Sequence, residues 1–192
     1  MLHATCLMNS MSGHSHWAGI KHRKGINDAK RAKIFTKHGK LITIAAHAGG
    51  GNPDTNFQLR LAIDRARGDN MPKESIGRSI KRGTGELKGE AEIQEVLYEA
   101  YGPGQVAMLI RAATENKNRT LGDLKIILTK SGGKIVPAGS VSYLFKRTHK
   151  DSELVYEPMR KITLDENAEL DYKNLLELLD KQDDVQEIYD NL

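Results

Sequence analysis

The sequence predicts an α+β protein in which a cationic three-helix N-terminal domain precedes a small domain of mixed strands and helices. Three observations carry this. Between residues 34 and 80 apolar residues recur at the period of amphipathic helices, and glycine and proline divide the pattern into three segments. From residue 92 onward alternating, strand-like runs are interleaved with further helical ones. Charge is also split along the chain. Residues 1–88 hold 16 Lys and Arg against 6 Asp and Glu, a net of +10, whereas residues 151–192 hold 4 against 13, a net of −9.

Taken in order, Gly13 to Lys24 is short of aliphatic residues and rich in glycine and cations, and reads as an extended arm. From Asn27 the pattern changes: Ile34, Phe35, Leu41, Ile42 and Ala45 share one arc of a long helix, with Asn27 or Asp28 as its cap. Gly49-Gly50-Gly51-Asn52-Pro53 ends it. Asp54 to Asn56 offers caps for a second helix, in which Leu59, Ala62, Ile63 and Ala66 stand at i, i+3, i+4, i+7. A third begins with Pro72 in the first helical position, buries Ile76 and Ile80, and stops at Gly83.

Glu92 to Ala100 and Gln105 to Ala113 read as the strands of a hairpin turned by Tyr101-Gly102-Pro103-Gly104. Asn118 is expected to cap a helix presenting Leu121, Leu124, Ile127 and Leu128 and ended by Gly132-Gly133. Val141, Tyr143 and Phe145 alternate like a half-buried strand, as do Leu154 and Tyr156, with the polar Arg147 to Asp151 as the connection. Leu175, Leu176, Leu178 and Leu179 give the apolar surface of a last helix, and Val185, Ile188 and Tyr189 a last strand.

Composition narrows the function classes. With 39 % apolar residues the chain can bury a core, and no window forms the uninterrupted apolar run a membrane span needs. The leader Met1 to Ser10 lacks the charged and apolar regions of an export signal. Cys6 is the only cysteine, so neither a disulfide nor a cysteine zinc site forms within one chain, and a cytoplasmic location is expected. His14, His16 and His22 have no carboxylate or cysteine between them, which argues against a metal site. The glycine-rich stretches do not match a phosphate-binding loop and read as helix punctuation. Asn116 to Thr120 reads as ordinary helix capping in preference to an anion site. No nucleophile–base or paired-carboxylate arrangement appears at motif spacing, so the chain is expected to be no enzyme and to need no cofactor.

The basic head is the candidate site. Lys21, His22, Arg23 and Lys24 run into Lys30, Arg31, Lys33, Lys37 and Lys40, and on the first helix Lys30, Lys33, Lys37 and Lys40 form a ladder beside the apolar stripe. Such a ladder suits a phosphate backbone, and no acidic residue interrupts the run before Asp28. Arg65, Arg67, Lys81 and Arg82 extend the charge over the other two helices, whose polar sides also carry Arg60 and Arg78. These residues point to nucleic acid, either DNA or ribosomal RNA, bound mainly through phosphates. Aromatic content is 5 % and Trp17 is the sole aromatic of the arm, so a base-stacking platform is weakly supported. The acidic C-terminal region can either fold back onto the basic head or serve solubility, and the second reading is preferred.

Gly13-His-Ser-His-Trp17, Ile20-Lys-His-Arg-Lys24, Ala32-Lys-Ile-Phe-Thr-Lys37, Gly49-Gly-Gly-Asn-Pro-Asp54, Asn70-Met-Pro-Lys73, Tyr101-Gly-Pro-Gly104, Asn116-Lys-Asn-Arg-Thr120 and Gly139-Ser-Val-Ser-Tyr-Leu-Phe145 resemble, in order, the YebC/PmpR family. The resemblance implies DNA-binding transcriptional regulation, or translational activation at the ribosome. It also implies a three-helix domain and a second α+β domain interrupted by an inserted ferredoxin-like third domain. On that pattern residues 1–10 are an extension or reflect a misassigned start. Residues 11–86 form the arm and three-helix domain, 87–138 and 168–192 the α+β domain, and 139–167 a hairpin left from a truncated insertion.

Overall fold

A computed structural model describes residues 28–87, 89–150 and 153–192. The N-terminal domain is built from α1 (Asp28–Gly49), α2 (Phe57–Gly68) and α3 (Lys73–Gly83). Ile42 and Ala46 of α1, Leu59, Ile63 and Ala66 of α2, and Ile76 of α3 close one core with Met71. The helical periodicity of the sequence therefore marks the buried face in each helix. Asn56 is buried and fully used: Oδ1 accepts from the Leu59 amide at 3.0 Å, while Nδ2 donates to the carbonyls of Ala45 and Gly50. It caps α2 and ties its start to the end of α1. Pro72 stands one place earlier than expected, as the cap residue before Lys73.

α1 and α3 cross closely at Gly83. A Cβ there would press on the Thr43 carbonyl and come within 2.7 Å of the Ala46 Cβ, so the contact requires glycine. Nearby, the buried Thr43 hydroxyl lies 2.8 Å from the Gly39 carbonyl and 3.1 Å from that of Ser79, joining the two helices.

The second domain is a four-stranded antiparallel sheet of order β3-β1-β2-β6, made from β1 (Gln94–Tyr101), β2 (Ala107–Thr114), β3 (Lys134–Val136) and β6 (Val185–Asp190). Alternation along β2 separates its two faces. Met108, Ile110 and Ala112 meet Leu124 and Leu128 of α4 (Lys117–Lys130) and Tyr172, Leu175, Leu176 and Leu179 of α5 (Glu166–Lys181). Ala107 and Leu109 meet Val141, Phe145, Val155 and Tyr156 on the opposite face. Asn116, not Asn118, caps α4, accepting from the amides of Asn118 and Arg119 at 3.1 Å each. The short edge strand β3 follows the Gly132-Gly133 stop and was not expected from the sequence.

The second hairpin is displaced from its expected place. Its strands are β4 (Phe145–Lys150) and β5 (Glu153–Pro158), paired from Phe145↔Pro158 to Lys150↔Glu153, so most of the expected connection is strand. Residues 141–144 are not strand. Ser142–Leu144 form a 3₁₀ turn that leaves Tyr143 63 % exposed while Val141 is buried. The cause is Glu99 of β1, whose buried carboxylate accepts from the amides of Val141 at 2.6 Å, Gly139 at 2.7 Å and Ser142 at 3.1 Å. Burial raises its pKa, but these amides, that of Val141 foremost, outweigh burial and hold it below the usual carboxylate range. The hairpin packs on the sheet through Tyr156, whose ring meets that of Tyr189 edge-on at 5.1 Å.

Candidate nucleic-acid interface

Three lysines of the ladder on α1, Lys33, Lys37 and Lys40, are engaged within the chain. Lys33 Nζ donates to the carbonyl of Asp180 in the last turn of α5, and Lys37 Nζ lies 3.1 Å from Oδ1 of the same residue. Lys40 Nζ donates to the Asp183 carbonyl at 3.1 Å and to Oδ1 of Asp184. The period that aligns these lysines on one side of α1 thus presents them to the carbonyl end of α5 and the acidic turn after it, where cations complement the helix dipole. The acidic C-terminal region consequently holds the two domains together, and the solubility reading is corrected.

Asp184 is the centre of this contact. Its side chain is 3 % exposed, accepts from the Thr120 hydroxyl at 2.7 Å, and pairs with Arg119 Nη2 at 3.1 Å as well as with Lys40. Burial alone raises its pKa; the bonds from Lys40, Thr120 and Arg119 prevail and bring it down to about 2. Lys33 moves in the unfavourable sense, because its burial outweighs the attraction of Asp180 and Asp183 and lowers its pKa.

Arg82 is also committed. Its guanidinium lies 2.6 Å from Glu115 and 2.9 Å from Glu90, and donates to the Ala91 carbonyl at 2.8 Å. This ties α3 to the segment entering β1 and to the end of β2. Between the domains lies a cleft of about 750 Å³ lined by Phe35, Lys40, Thr43, Met71, Ser79 and Arg82. The Lys40 and Arg82 cations at this cleft are already matched by carboxylates.

The other predicted cations divide differently. Arg31 on α1, Arg65 and Arg67 on α2 and Lys81 on α3 are exposed, Arg67 with a loose pair to Asp64 at 3.6 Å. Lys30 falls in α1 but its side chain, like all of Lys21, His22, Arg23 and Lys24, lies outside the described residues, as do His14, His16 and Trp17. Among the described residues no cluster of His, Cys, Asp or Glu is suited to a metal ion, and no helix is long and apolar enough to cross a membrane. At the start of α2 two further residues are exposed: Arg60, read from the sequence only as part of the cationic polar side of that helix, and Phe57, which was not singled out.

Residues 15–86 match the model of the TACO1/YebC protein N-terminal domain, and residues 93–150 match that of the TACO1/YebC second and third domain. Curated relatives named "probable transcriptional regulatory protein" include one from Fervidobacterium nodosum, 57 % identical over 137 residues, covering 71 % of this chain and 54 % of the relative. Another, from Thermosipho melanesiensis, is 46 % identical over 188 residues, covering 95 % of this chain and 74 % of the relative. The chain therefore spans between about half and three quarters of the length of these relatives. The fold is similar to the crystal structure of a conserved hypothetical protein from Aquifex aeolicus, with a TM-score of 0.83 and 32 % identity over 92 % of this chain and 96 % of that one.

Proposed function

The chain belongs to the TACO1/YebC family, and on that premise we propose that it is a non-enzymatic, cytoplasmic DNA-binding protein that regulates transcription. The observation that carries the reading is the cationic surface of the three-helix domain, where Arg31, Arg65, Arg67 and Lys81 are exposed on three different helices. In sequence they are preceded by the four consecutive basic residues Lys21 to Lys24. Such a surface neutralises phosphates and gives affinity that is largely independent of base sequence. The names of the relatives support regulation as the outcome of that binding. Neither a small-molecule substrate nor a membrane enters the reading.

The test is the affinity of the full chain for duplex DNA and for ribosomes, side by side, across a salt series at one pH. Tight duplex binding that falls steeply with salt, with ribosomes bound no better than bulk RNA, is the expected result. Preference for ribosomes at physiological salt replaces transcription with translational activation, in which the same basic surface meets ribosomal RNA. Weak binding to every polyanion overturns both.

A further inference from the structure

Phe57 is the first residue of α2, and its side chain is 46 % exposed. Two residues later Leu59 is fully buried in the three-helix core, to which Phe57 does not contribute. Among the described residues of that domain it is the only large apolar side chain left at the surface. Capping does not explain it, because Asn56 supplies the cap. The ring is not isolated: the guanidinium of Arg60, one turn on, lies over it at 5.4 Å from the centroid. The rest of α2 adds Arg65 and Arg67, its first turn contains no acidic residue, and Asp64 is its single carboxylate.

An exposed ring with a guanidinium over it, on a helix rich in cations, matches the chemical needs of an unpaired base. The base needs a flat apolar partner for its π face, and the phosphate beside it needs a nearby cation. Within a duplex each base is covered by its neighbours, so the ring has nothing to stack on there. In single strands the faces are available. We infer that Phe57 and Arg60 form a stacking site for one unpaired base of single-stranded nucleic acid, with the ring against the base and Arg60 against the adjoining phosphate. This rests on the reading of the chain as a nucleic-acid-binding protein and adds to it a preference for unpaired over paired strands at this site.

The experiment measures binding of the full chain to oligo-dT and oligo-U of about twelve nucleotides, and to a duplex of the same length, by fluorescence anisotropy over a salt series. Phe57→Leu keeps apolar bulk but removes the π face; Phe57→Tyr keeps both. Phe57→Leu is expected to weaken single-strand binding about ten-fold with an unchanged salt slope, to leave duplex binding unaltered, and to melt with the parent. Phe57→Tyr restores single-strand affinity. Comparing the two oligonucleotides tells whether DNA or RNA is the better source of the base. Single-strand affinity that survives in Phe57→Leu, or that falls in the same proportion as duplex affinity, overturns the stacking site alone. Failure of the unsubstituted protein to bind any of the three overturns the nucleic-acid reading itself, and the site with it. A lower melting temperature in Phe57→Leu moves the comparison to Arg60→Gln. That variant is expected to lower single-strand affinity and its salt slope by about one contact, and an unchanged slope again overturns the site.

Discussion

Lys40 on α1 and Asp184 at the entrance to β6 face each other across the domain boundary, and the carboxylate is 3 % exposed. Thr120 and Arg119 complete its surroundings, so one acidic side chain joins the helical domain, α4 and the last strand.

Removing one side of a desolvated pair leaves the other charge without full compensation. Lys40→Ala and Asp184→Asn are each expected to destabilise the protein by about 3 kcal/mol. Asp180→Asn, whose side chain is 50 % exposed, is expected to cost less than about 1 kcal/mol. Urea denaturation of the three variants checks the order; equal losses at Asp180 and Asp184 contradict it.

The same carboxylate sets an acid limit. Its folded pKa of about 2 lies below the ordinary aspartate value, so the folded state favours the ionised form. The stabilisation, on the order of 2 kcal/mol, is complete above about pH 4. It is lost as pH falls through about 2. Melting temperatures followed from pH 5 downward should therefore drop less steeply in Asp184→Asn than in the parent, and parallel curves contradict this.

For polyanion binding, the exposed cations and the committed one should behave differently. Arg67→Ala and Lys81→Ala are each expected to reduce DNA affinity and lower the salt slope by about one contact, with stability changing by less than about 0.5 kcal/mol. Arg82→Ala removes the partner of Glu115 and the nearer of the two cations at Glu90, leaving Arg78 at 3.5 Å, and should lower the melting temperature without changing the slope. A salt series paired with thermal melts separates the two behaviours.

At Gly83 two effects oppose each other. Alanine favours a helix over glycine by about 1 kcal/mol, yet its methyl would meet the Thr43 carbonyl and Ala46. Overpacking costs about 1–3 kcal/mol, and Gly83→Ala is expected to be destabilising overall. A higher melting temperature would show that α1 and α3 separate at little cost.

The helices were legible because core residues on them, such as Ile42, Leu59, Ile63, Ile76, Leu124 and Leu175, stand at the helical period and mark the buried face. β4 was not. Phe145-Lys-Arg-Thr-His-Lys150 has one apolar residue and is defined by pairing with β5, whereas Val141 and Tyr143, which alternate with Phe145 in the sequence, sit at a turn held by Glu99, far away in sequence. For the site, the ladder spacing was visible and so was the opposite charge of the C-terminal region. That the two could meet followed from their opposite charge, but which residues pair did not, since Lys40 and Asp184 are 144 residues apart and no local pattern links them. Phe57 was hidden for another reason: on a short helix one aromatic looks the same whether it enters the core or faces water.

The β4–β5 hairpin has a consequence for how such chains are assembled. Lys150 and Glu153 are paired at its tip, and antiparallel partners there stand only about 5 Å apart. A folded unit whose two ends lie side by side is expected to be tolerated at that point without a shift in register, because the contacts that seat the hairpin are made below the tip by Phe145, Val155 and Tyr156. A unit placed between Lys150 and Glu153 is expected to leave the sheet below it, and the helices that carry its charge, in their places.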